Sequence, residues 1–180
     1  MNKKRGPWTI KSSIRKYKNP WIEVSEDEVI KPDGEPGVFG TVKMKAGVSV
    51  LPMDKDGFVY LTQEFHYALG RESIEAVSGG IDGSEKPLET AKRELLEEIG
   101  IEAKEWIDLG LVNPFTTVVN SPAYLFLARD LQLTKRNPET EVIKLLKVKF
   151  DDAVNMVVDS KITHGPSCVL ILKAKGYLKK

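Results

Sequence analysis

The sequence predicts an α/β protein. Short runs of β-branched and aromatic residues lie on both sides of one well-defined amphipathic helix, and two further helical segments follow near the C-terminus. Turns rich in glycine and proline separate the strand-like runs, which is typical of sheets built from short strands.

The first part of the chain is rich in strand signals. Residues 9–31 contain the runs WTIKSSIRKY and WIEVSEDEVI, and the turn KPDGEPG follows them. The segment GVFGTVKMKAGVSVLPM predicts one or two further strands, and MDKDG predicts a hairpin turn into the strand FVYLTQEF. We therefore expect an N-terminal antiparallel β region.

One helix is predicted in the middle of the chain. Apolar residues recur there at helical spacing and form a stripe that packing would bury: Leu88, Ala91, Leu95 and Ile99. Pro87 suits the first helical turn, and Ser84 or a residue just after it can cap the helix. Gly100 stands where a left-handed C-terminal cap belongs.

The same helix carries Glu94, Glu97 and Glu98 away from its apolar stripe. Like charges one turn apart cost a few tenths of a kcal/mol per pair. Such a cluster is tolerated if it is solvated, with Arg93 as an ion-pair partner, or it is useful if a divalent cation neutralises it. Oxygen ligands with no Cys or His nearby suit Mg²⁺ or Mn²⁺ rather than zinc.

Strands and helices are also predicted after this helix. Residues 106–112 and 123–128 are strand-like, and EVIKLLKVKF predicts a partly exposed strand. DDAVNMVVDS predicts a helix whose two aspartates favour its N-terminal dipole. GPSCVLILKAKGYL predicts a last helix, with Pro166 early and lysines near its end.

The composition favours a soluble domain without nucleic-acid or membrane partners. The 180 residues are enough for a hydrophobic core, and the net charge of +1 predicts no basic surface for nucleic acid. No apolar run approaches transmembrane length, and the basic N-terminus lacks the apolar part of a signal peptide. We expect a cytoplasmic location, with the one cysteine, Cys168, as a core thiol.

The stretch around the central helix resembles the Nudix box. From Gly79 the pattern runs through Glu85, Arg93-Glu94-Leu95, Glu97-Glu98 and Gly100-Ile101, and it matches the motif at every defined position. The resemblance implies an α/β/α sandwich with a mixed β-sheet, in which the box forms a loop, a helix and a loop. It also implies hydrolysis of a nucleoside diphosphate linked to another group, with Mg²⁺ or Mn²⁺.

The resemblance implies roles for the residues of the box. Glu94 and Glu98 would be the principal metal ligands, and Glu97 would be a further ligand or a base for water. A backbone carbonyl near Ser78 or Gly79 would complete the coordination. Two or more cations in the site would neutralise the diphosphate, orient the water and stabilise the leaving oxygen.

Other box residues would shape the site. An ion pair between Glu85 and Arg93 would brace the loop against the helix, and Gly100 would end the helix. Gly79, Gly80 and Gly83 would let bare backbone approach the metal or the phosphates.

The flanking segments resemble the branch of ADP-ribose pyrophosphatases and nucleotide-sugar hydrolases. The resemblance implies that residues 1–45 form an N-terminal β region and residues 46–180 form the Nudix domain. It also implies a homodimer that exchanges N-terminal strands to complete the substrate pocket. The aromatic residues available for that exchange, for stacking on a base, or as plain core or interface anchors are Trp8, Tyr17 and Trp21.

Two departures from that branch concern the substrate. His66 stands where relatives usually carry an arginine; it can act as a weaker donor or fill space, and Arg71 can supply part of the charge. The segment NPFTTVVNSPAYLF replaces a Ser-Pro-Gly-like turn, so we expect a wider range of nucleoside diphosphate sugars than ADP-ribose alone. The candidate substrate contacts are Trp8, Trp21, His66, Arg71, Glu75, Gly79, Gly80 and Glu139.

A further acidic residue is expected in the loop before the last strand. The segment RNPETEVIKLLKV offers Glu139 and Glu141, and we favour Glu141 because it directly precedes the aliphatic run. Both can equally be ordinary loop carboxylates. The candidate catalytic residues are thus Arg93, Glu97, Glu98 and Glu141, and the candidate metal ligands are Ser78, Glu94, Glu97 and Glu98.

The predicted function is metal-dependent hydrolysis of nucleoside diphosphate sugars to a nucleoside monophosphate and a sugar phosphate. The first alternative is a diphosphatase for another nucleotide, such as a dinucleoside polyphosphate, a coenzyme or an oxidised nucleotide. The second is a nucleotide-binding regulator without catalysis, which the complete set of box glutamates argues against.

Overall fold

Twelve strands and three helices make up the part of the chain that the structure describes. The structure is a computed structural model, and it describes residues 3–134 and 143–179. The chain divides into two compact units, residues 1–45 with 113–121 and residues 46–112 with 122–180. Segment 113–121 thus belongs to the unit that contains the N-terminal β region.

The first unit is one five-stranded sheet. Its strands are β1 (Lys3–Arg5), β2 (Trp8–Lys18), β3 (Ile22–Ile30), β4 (Pro36–Met44) and β10 (Val119–Asn120). The first four pair antiparallel in chain order, as expected for this region, although no strand was predicted over Lys3–Arg5. Strand β10 adds to β4 in parallel. The KPDGEPG turn joins β3 to β4, and Gly34 adopts the left-handed φ of 90° that this turn requires.

The second unit contains a mixed sheet of four strands. Its order is β8 (Val77–Gly80), β5 (Gly47–Pro52), β11 (Ala123–Leu133) and β9 (Ile101–Val112). Strand β5 runs parallel to β11, whereas the two outer pairs are antiparallel. A separate antiparallel sheet has the order β12 (Lys144–Lys149), β6 (Phe58–His66) and β7 (Arg71–Glu75).

Helices cover both faces of the four-stranded sheet. Along β5, Val48 and Val50 pack in one cluster with helix α1 (Pro87–Ile99), whereas Leu51 packs in another. That second cluster contains the buried residues of α2 (Phe150–Val158) and α3 (Gly165–Leu178). Successive strand residues face opposite sides, so each strand supplies both cores. The predicted α/β/α sandwich is confirmed.

The structure differs from the sequence prediction at several element ends. Strand β9 begins at Ile101 rather than Trp106, because the charged residues of its first half lie on an exposed side and hide the strand pattern. The N-cap of α1 is Lys86 and makes no side-chain hydrogen bond, so Ser84 is not the cap. The left-handed Gly100 does end α1, with a φ of 65°. Within the described residues, no helix is long and apolar enough to cross a membrane.

Candidate active site

The centre of the candidate site is the junction between β8 and α1. Strand β8 pairs with β5, which fixes the backbone at Ser78 and Gly79. A tight turn follows, in which the Glu85 amide donates to the Asp82 carbonyl at 2.9 Å and Gly83 has a φ of 53°. Helix α1 then buries its apolar stripe against the sheet and directs its acidic face to this junction.

Gly79 faces the carboxylate of Glu94 directly. A Cβ atom at Gly79 would overlap the carboxyl carbon and Cγ of Glu94. The absence of a side chain at Gly79 therefore lets the helix glutamate lie against bare backbone, as expected for this glycine-rich segment.

Arg93 binds the carboxylates around this junction together. Its Nη1 lies 2.9 Å from Glu94 Oε1 and 3.0 Å from Glu97 Oε2. Its Nε and Nη2 each donate to one oxygen of Glu85 at 3.1 Å, and Nη2 also reaches the Gly80 carbonyl at 3.3 Å. The expected ion pair between Glu85 and Arg93 is therefore present, and it is bidentate.

The ion pair shifts the pKa values of both partners. Hydrogen bonds from Arg93 first, and from Thr90 second, lower the pKa of Glu85 to about 2. The hydrogen bonds of Arg93 to Glu85 first, and to Glu97 as well, raise the pKa of Arg93 above its already high ordinary value, although burial opposes this. Both groups stay charged at every physiological pH, so the loop remains attached to the helix.

The pKa of Glu98 shifts in the opposite direction from that of Glu85. Burial first, and then the negative charges of Glu94, Glu64 and Glu75, raise the pKa of Glu98 to about 8, although the Ser78 amide donates to it. Burial also raises the pKa of Glu94. Among the described residues, no cation forms an ion pair with Glu98, so this carboxyl is surrounded mainly by like charge.

These residues fit a hard divalent cation. A cation beside Glu98 would remove the penalty that burial and like charge impose on its ionised form. The donors are carboxylate oxygens, which suit Mg²⁺ or Mn²⁺. In residues 3–134 and 143–179, however, no three His, Cys, Asp or Glu side chains already form a metal-binding group, and Glu94 and Glu97 contact Arg93 instead.

A second cluster lies around Glu75, at the end of β7. Glu75 is buried, and its two oxygens lie 3.0 Å from His66 Nε2 and 3.1 Å from His164 Nδ1. The His66 contact is close but lacks hydrogen-bond geometry. His164 Nδ1 also lies 2.8 Å from Ser167 Oγ, and burial lowers the pKa of His164. Both histidines of the chain thus converge on one buried glutamate.

The sequence did not predict His164 as a site residue. It follows no motif, and it reaches Glu75 only because α3 begins beside the end of β7. Arg71, in contrast, was expected to supply charge, but its guanidinium is engaged by Thr163 Oγ1 at 3.0 Å and by the Glu72 carbonyl at 3.1 Å.

The remaining candidates lie elsewhere in the chain. Trp8 and Trp21 belong to the first unit; Trp8 stacks edge-on against Phe39, whereas Trp21 is 69% exposed. Glu139 and Glu141 fall outside the described residues.

Comparisons with known proteins identify the family. The sequence profile of the NUDIX domain matches residues 43–163, which is more than half of the chain. A profile described as the nucleoside diphosphate sugar hydrolase N-terminal domain matches residues 8–42. The chain therefore belongs to the Nudix family, and it is a pyrophosphohydrolase.

Individual relatives are consistent with this assignment. An ADP-ribose pyrophosphatase of Bacillus subtilis (strain 168) is 26% identical over 153 residues, which cover 83% of each protein. A methanol dehydrogenase activator of Bacillus methanolicus is 22% identical, again over 83% of each. A solved structure titled as an ADP compounds hydrolase superimposes with a TM-score of 0.84 over 98% of this chain and 97% of the other, at 18% identity, and so shares the fold.

Proposed function

We propose that this protein hydrolyses the diphosphate bond of nucleoside diphosphate sugars, with Mg²⁺ or Mn²⁺, to a nucleoside monophosphate and a sugar phosphate. The observation that carries the proposal is the half-buried carboxyl of Glu98, which lies one turn after Glu94 on α1 and is surrounded mainly by like charge. A diphosphate substrate is itself anionic, so such a site could receive it only together with cations.

The residues at this junction would have different roles in the reaction. Glu94, Glu97 and Glu98 would hold the metal, which supplies charge neutralisation and a more acidic water when bound. Glu85 would keep Arg93 in place, so that the guanidinium limits how far Glu94 and Glu97 can move. We propose Glu97 or Glu141 as the group that accepts the proton of the attacking water.

The substrate class rests on two similarities. The matched N-terminal profile is named for nucleoside diphosphate sugar hydrolases, and two relatives are named ADP-ribose pyrophosphatases, the second from Mycobacterium tuberculosis (strain ATCC 25618 / H37Rv) with 32% identity over 44% of this chain and 39% of its own length. The segment NPFTTVVNSPAYLF, which stands where the ADP-ribose specialists of that branch carry a Ser-Pro-Gly-like turn, supports a substrate range beyond ADP-ribose.

The test is a substrate panel with product identification. ADP-ribose, GDP-mannose, UDP-glucose, NADH, a dinucleoside polyphosphate and an oxidised nucleoside triphosphate are incubated with Mg²⁺ or with a chelator. We expect a nucleoside monophosphate and a sugar phosphate from at least one nucleoside diphosphate sugar, and none with the chelator. Preferential cleavage of a different substrate class would replace the substrate assignment.

We further propose that the protein is a homodimer that uses its first unit for association. Large apolar side chains are exposed on that unit, namely Ile14, Tyr17, Trp21 and Val38. Light scattering on the purified chain should give twice the monomer mass, and Trp21→Glu should shift it toward the monomer. The control is Glu35→Ala, because Glu35 is an exposed residue of the same unit.

A further inference from the structure

The first unit contains a cavity of about 420 Å³ that the catalytic residues do not use. One face of its sheet and segment 116–120 form the walls. Its volume lies within the range of about 300–1,000 Å³ that is common for small-molecule sites. All the lining residues belong to this unit, so the cavity is complete without the second unit.

A buried carboxylate lies in this cavity without a partner. Asp27 occupies the middle of β3, opposite Ser13 on β2 and Phe39 on β4, and it is only 6% exposed. No hydrogen bond or ion pair reaches its side chain from any described residue. Glu23, on the same face of β3, differs because Lys18 and Arg15 lie 3.3 and 3.7 Å from its carboxylate.

The carboxylate of Asp27 reaches the open space of the cavity, since its oxygens are not among the fully enclosed atoms that lack a partner. A ligand that filled the cavity would displace the solvent there, so it would have to supply hydrogen-bond donors to this carboxylate.

The other lining residues indicate what that ligand is. Trp8 and Phe39 form an aromatic wall, with their ring centroids 5.5 Å apart. Arg5 and Lys43 also line the cavity, and neither forms an ion pair with another described residue. An aromatic wall, a buried acceptor and two positive charges together suit a nucleotide, which offers a flat ring, N–H donors and a phosphate.

We propose that this cavity binds the base of a guanine nucleotide, with Asp27 accepting hydrogen bonds from N1–H and the 2-amino group. A carboxylate only accepts hydrogen bonds, and it matches two donors side by side. Guanine presents such a pair on its Watson–Crick edge. Adenine and cytosine place an acceptor beside their amino group, and uracil has one N–H between two carbonyls, so each would set a lone pair against Asp27.

The inference extends the proposed function, because it names GDP-linked sugars as the preferred substrates. That extension rests on the proposed function, whereas selective binding of the base does not. The two can therefore fail separately.

The experiment is titration calorimetry of the full-length chain with GMP, AMP and IMP, in the presence of a chelator. None of these monophosphates contains a diphosphate bond, so catalysis does not interfere. We expect GMP to bind at least about tenfold more tightly than AMP, which corresponds to one well-placed pair of hydrogen bonds. IMP keeps N1–H but lacks the 2-amino group, so it should fall between them.

Two variants make the assignment specific. Asp27→Asn should reduce the affinity for GMP about tenfold or more and leave AMP within about twofold, because one acceptor is replaced by a donor. Its melting temperature should stay close to that of the wild type, because no described residue pairs with the Asp27 side chain. Glu28→Gln is the matched control: Glu28 is the next residue on β3, is exposed, and accepts a hydrogen bond from Ser12 Oγ at 2.9 Å. This control should leave all three affinities unchanged.

Equal affinities for GMP and AMP, an unchanged GMP affinity in Asp27→Asn, or no binding of any of the three would overturn the inference. Hydrolysis of GDP-mannose and ADP-ribose is measured in parallel with Mg²⁺. Cleavage of both at equal efficiency leaves the proposed function standing and defeats the extension to GDP-linked sugars. Selective GMP binding without cleavage of any nucleoside diphosphate sugar supports selection of the base by the cavity and defeats the proposed function.

Discussion

The carboxylate of Glu94 occupies the space beside Gly79 that any larger residue would need. The contact joins the end of β8 to the acidic face of α1, and it sets how closely the helix glutamates approach the backbone of the strand. A glycine at this position is therefore part of the site geometry, in addition to being part of a flexible turn.

We first predict that Gly79→Ala impairs the site without unfolding the protein. The new methyl group displaces Glu94, so the apparent affinity for Mg²⁺ should fall and kcat should drop by about tenfold or more. The measurements are calorimetric titration with Mg²⁺ and steady-state kinetics. Gly176→Ala is the control, because a Cβ there meets open space on α3 and should leave both values unchanged. Wild-type kinetics in Gly79→Ala would contradict the proposed role of this contact.

We next predict that Glu98→Gln separates activity from stability. Turnover should fall by orders of magnitude, because the substitution removes a proposed metal ligand. The melting temperature in a chelator should stay the same or rise, because a neutral amide replaces a carboxyl that burial and like charges disfavour in its ionised form. Glu89→Gln is the comparison on the same helix, since Glu89 is exposed and its carboxylate lies 3.5 Å from Lys92 Nζ. A near-normal rate in Glu98→Gln would refute the metal-ligand assignment.

A third prediction concerns the acid range. The pKa of Glu85 is about 2 in the folded protein, below the ordinary value of 4.5, because Arg93 and Thr90 donate to its carboxylate. The stabilisation from this ion pair is therefore fully present above pH 4.5 and is lost as the pH falls toward 2. Wild type should melt at a higher temperature than Glu85→Gln at pH 6, and the difference should shrink steadily between pH 4.5 and 2.

Thermal melts across pH 2–7 measure this effect, with Glu89→Gln again as the control. A difference between wild type and Glu85→Gln that stayed constant down to pH 2 would show that the ion pair is not its source.

The fourth prediction concerns His164, the residue that the sequence did not reveal. His164→Ala removes the side chain that contacts both Glu75 and Ser167, and it leaves the buried Glu75 with one fewer partner. We expect a loss of about 1–3 kcal/mol in the free energy of unfolding, measured by urea titration. Thr163→Ala is the neighbouring control, because it removes only an exposed contact to Arg71 and should cost less. Equal losses in the two variants would argue against a special role for the Glu75 cluster.

The parts of the fold that were predictable have local signals. Helix α1 is bounded by Pro87 and Gly100 and has an unbroken apolar stripe, so both its position and its acidic face followed from spacing. Strand β10 contains only Val119 and Asn120, and it exists because it pairs with β4, so no local pattern marks it.

The same distinction applies to the site. The glutamates of the box lie close together in sequence and share one helix, so their proximity could be predicted. His66 and Glu75 meet across the β6–β7 hairpin, and His164 joins them from another helix. Asp27 is one acidic residue among several on β3, and only its burial distinguishes it. Such contacts depend on tertiary packing.

The alternation along β5 has a consequence for how this fold can vary. Val48 and Val50 contact one helical layer, and Leu51 contacts the other. Inserting or deleting one residue within β5 would turn these side chains toward the opposite faces of the sheet, and the packing of both helical layers would be disturbed. The Gly34 turn in the first unit faces no such restriction, so natural changes in chain length should accumulate at turns of that kind and spare β5.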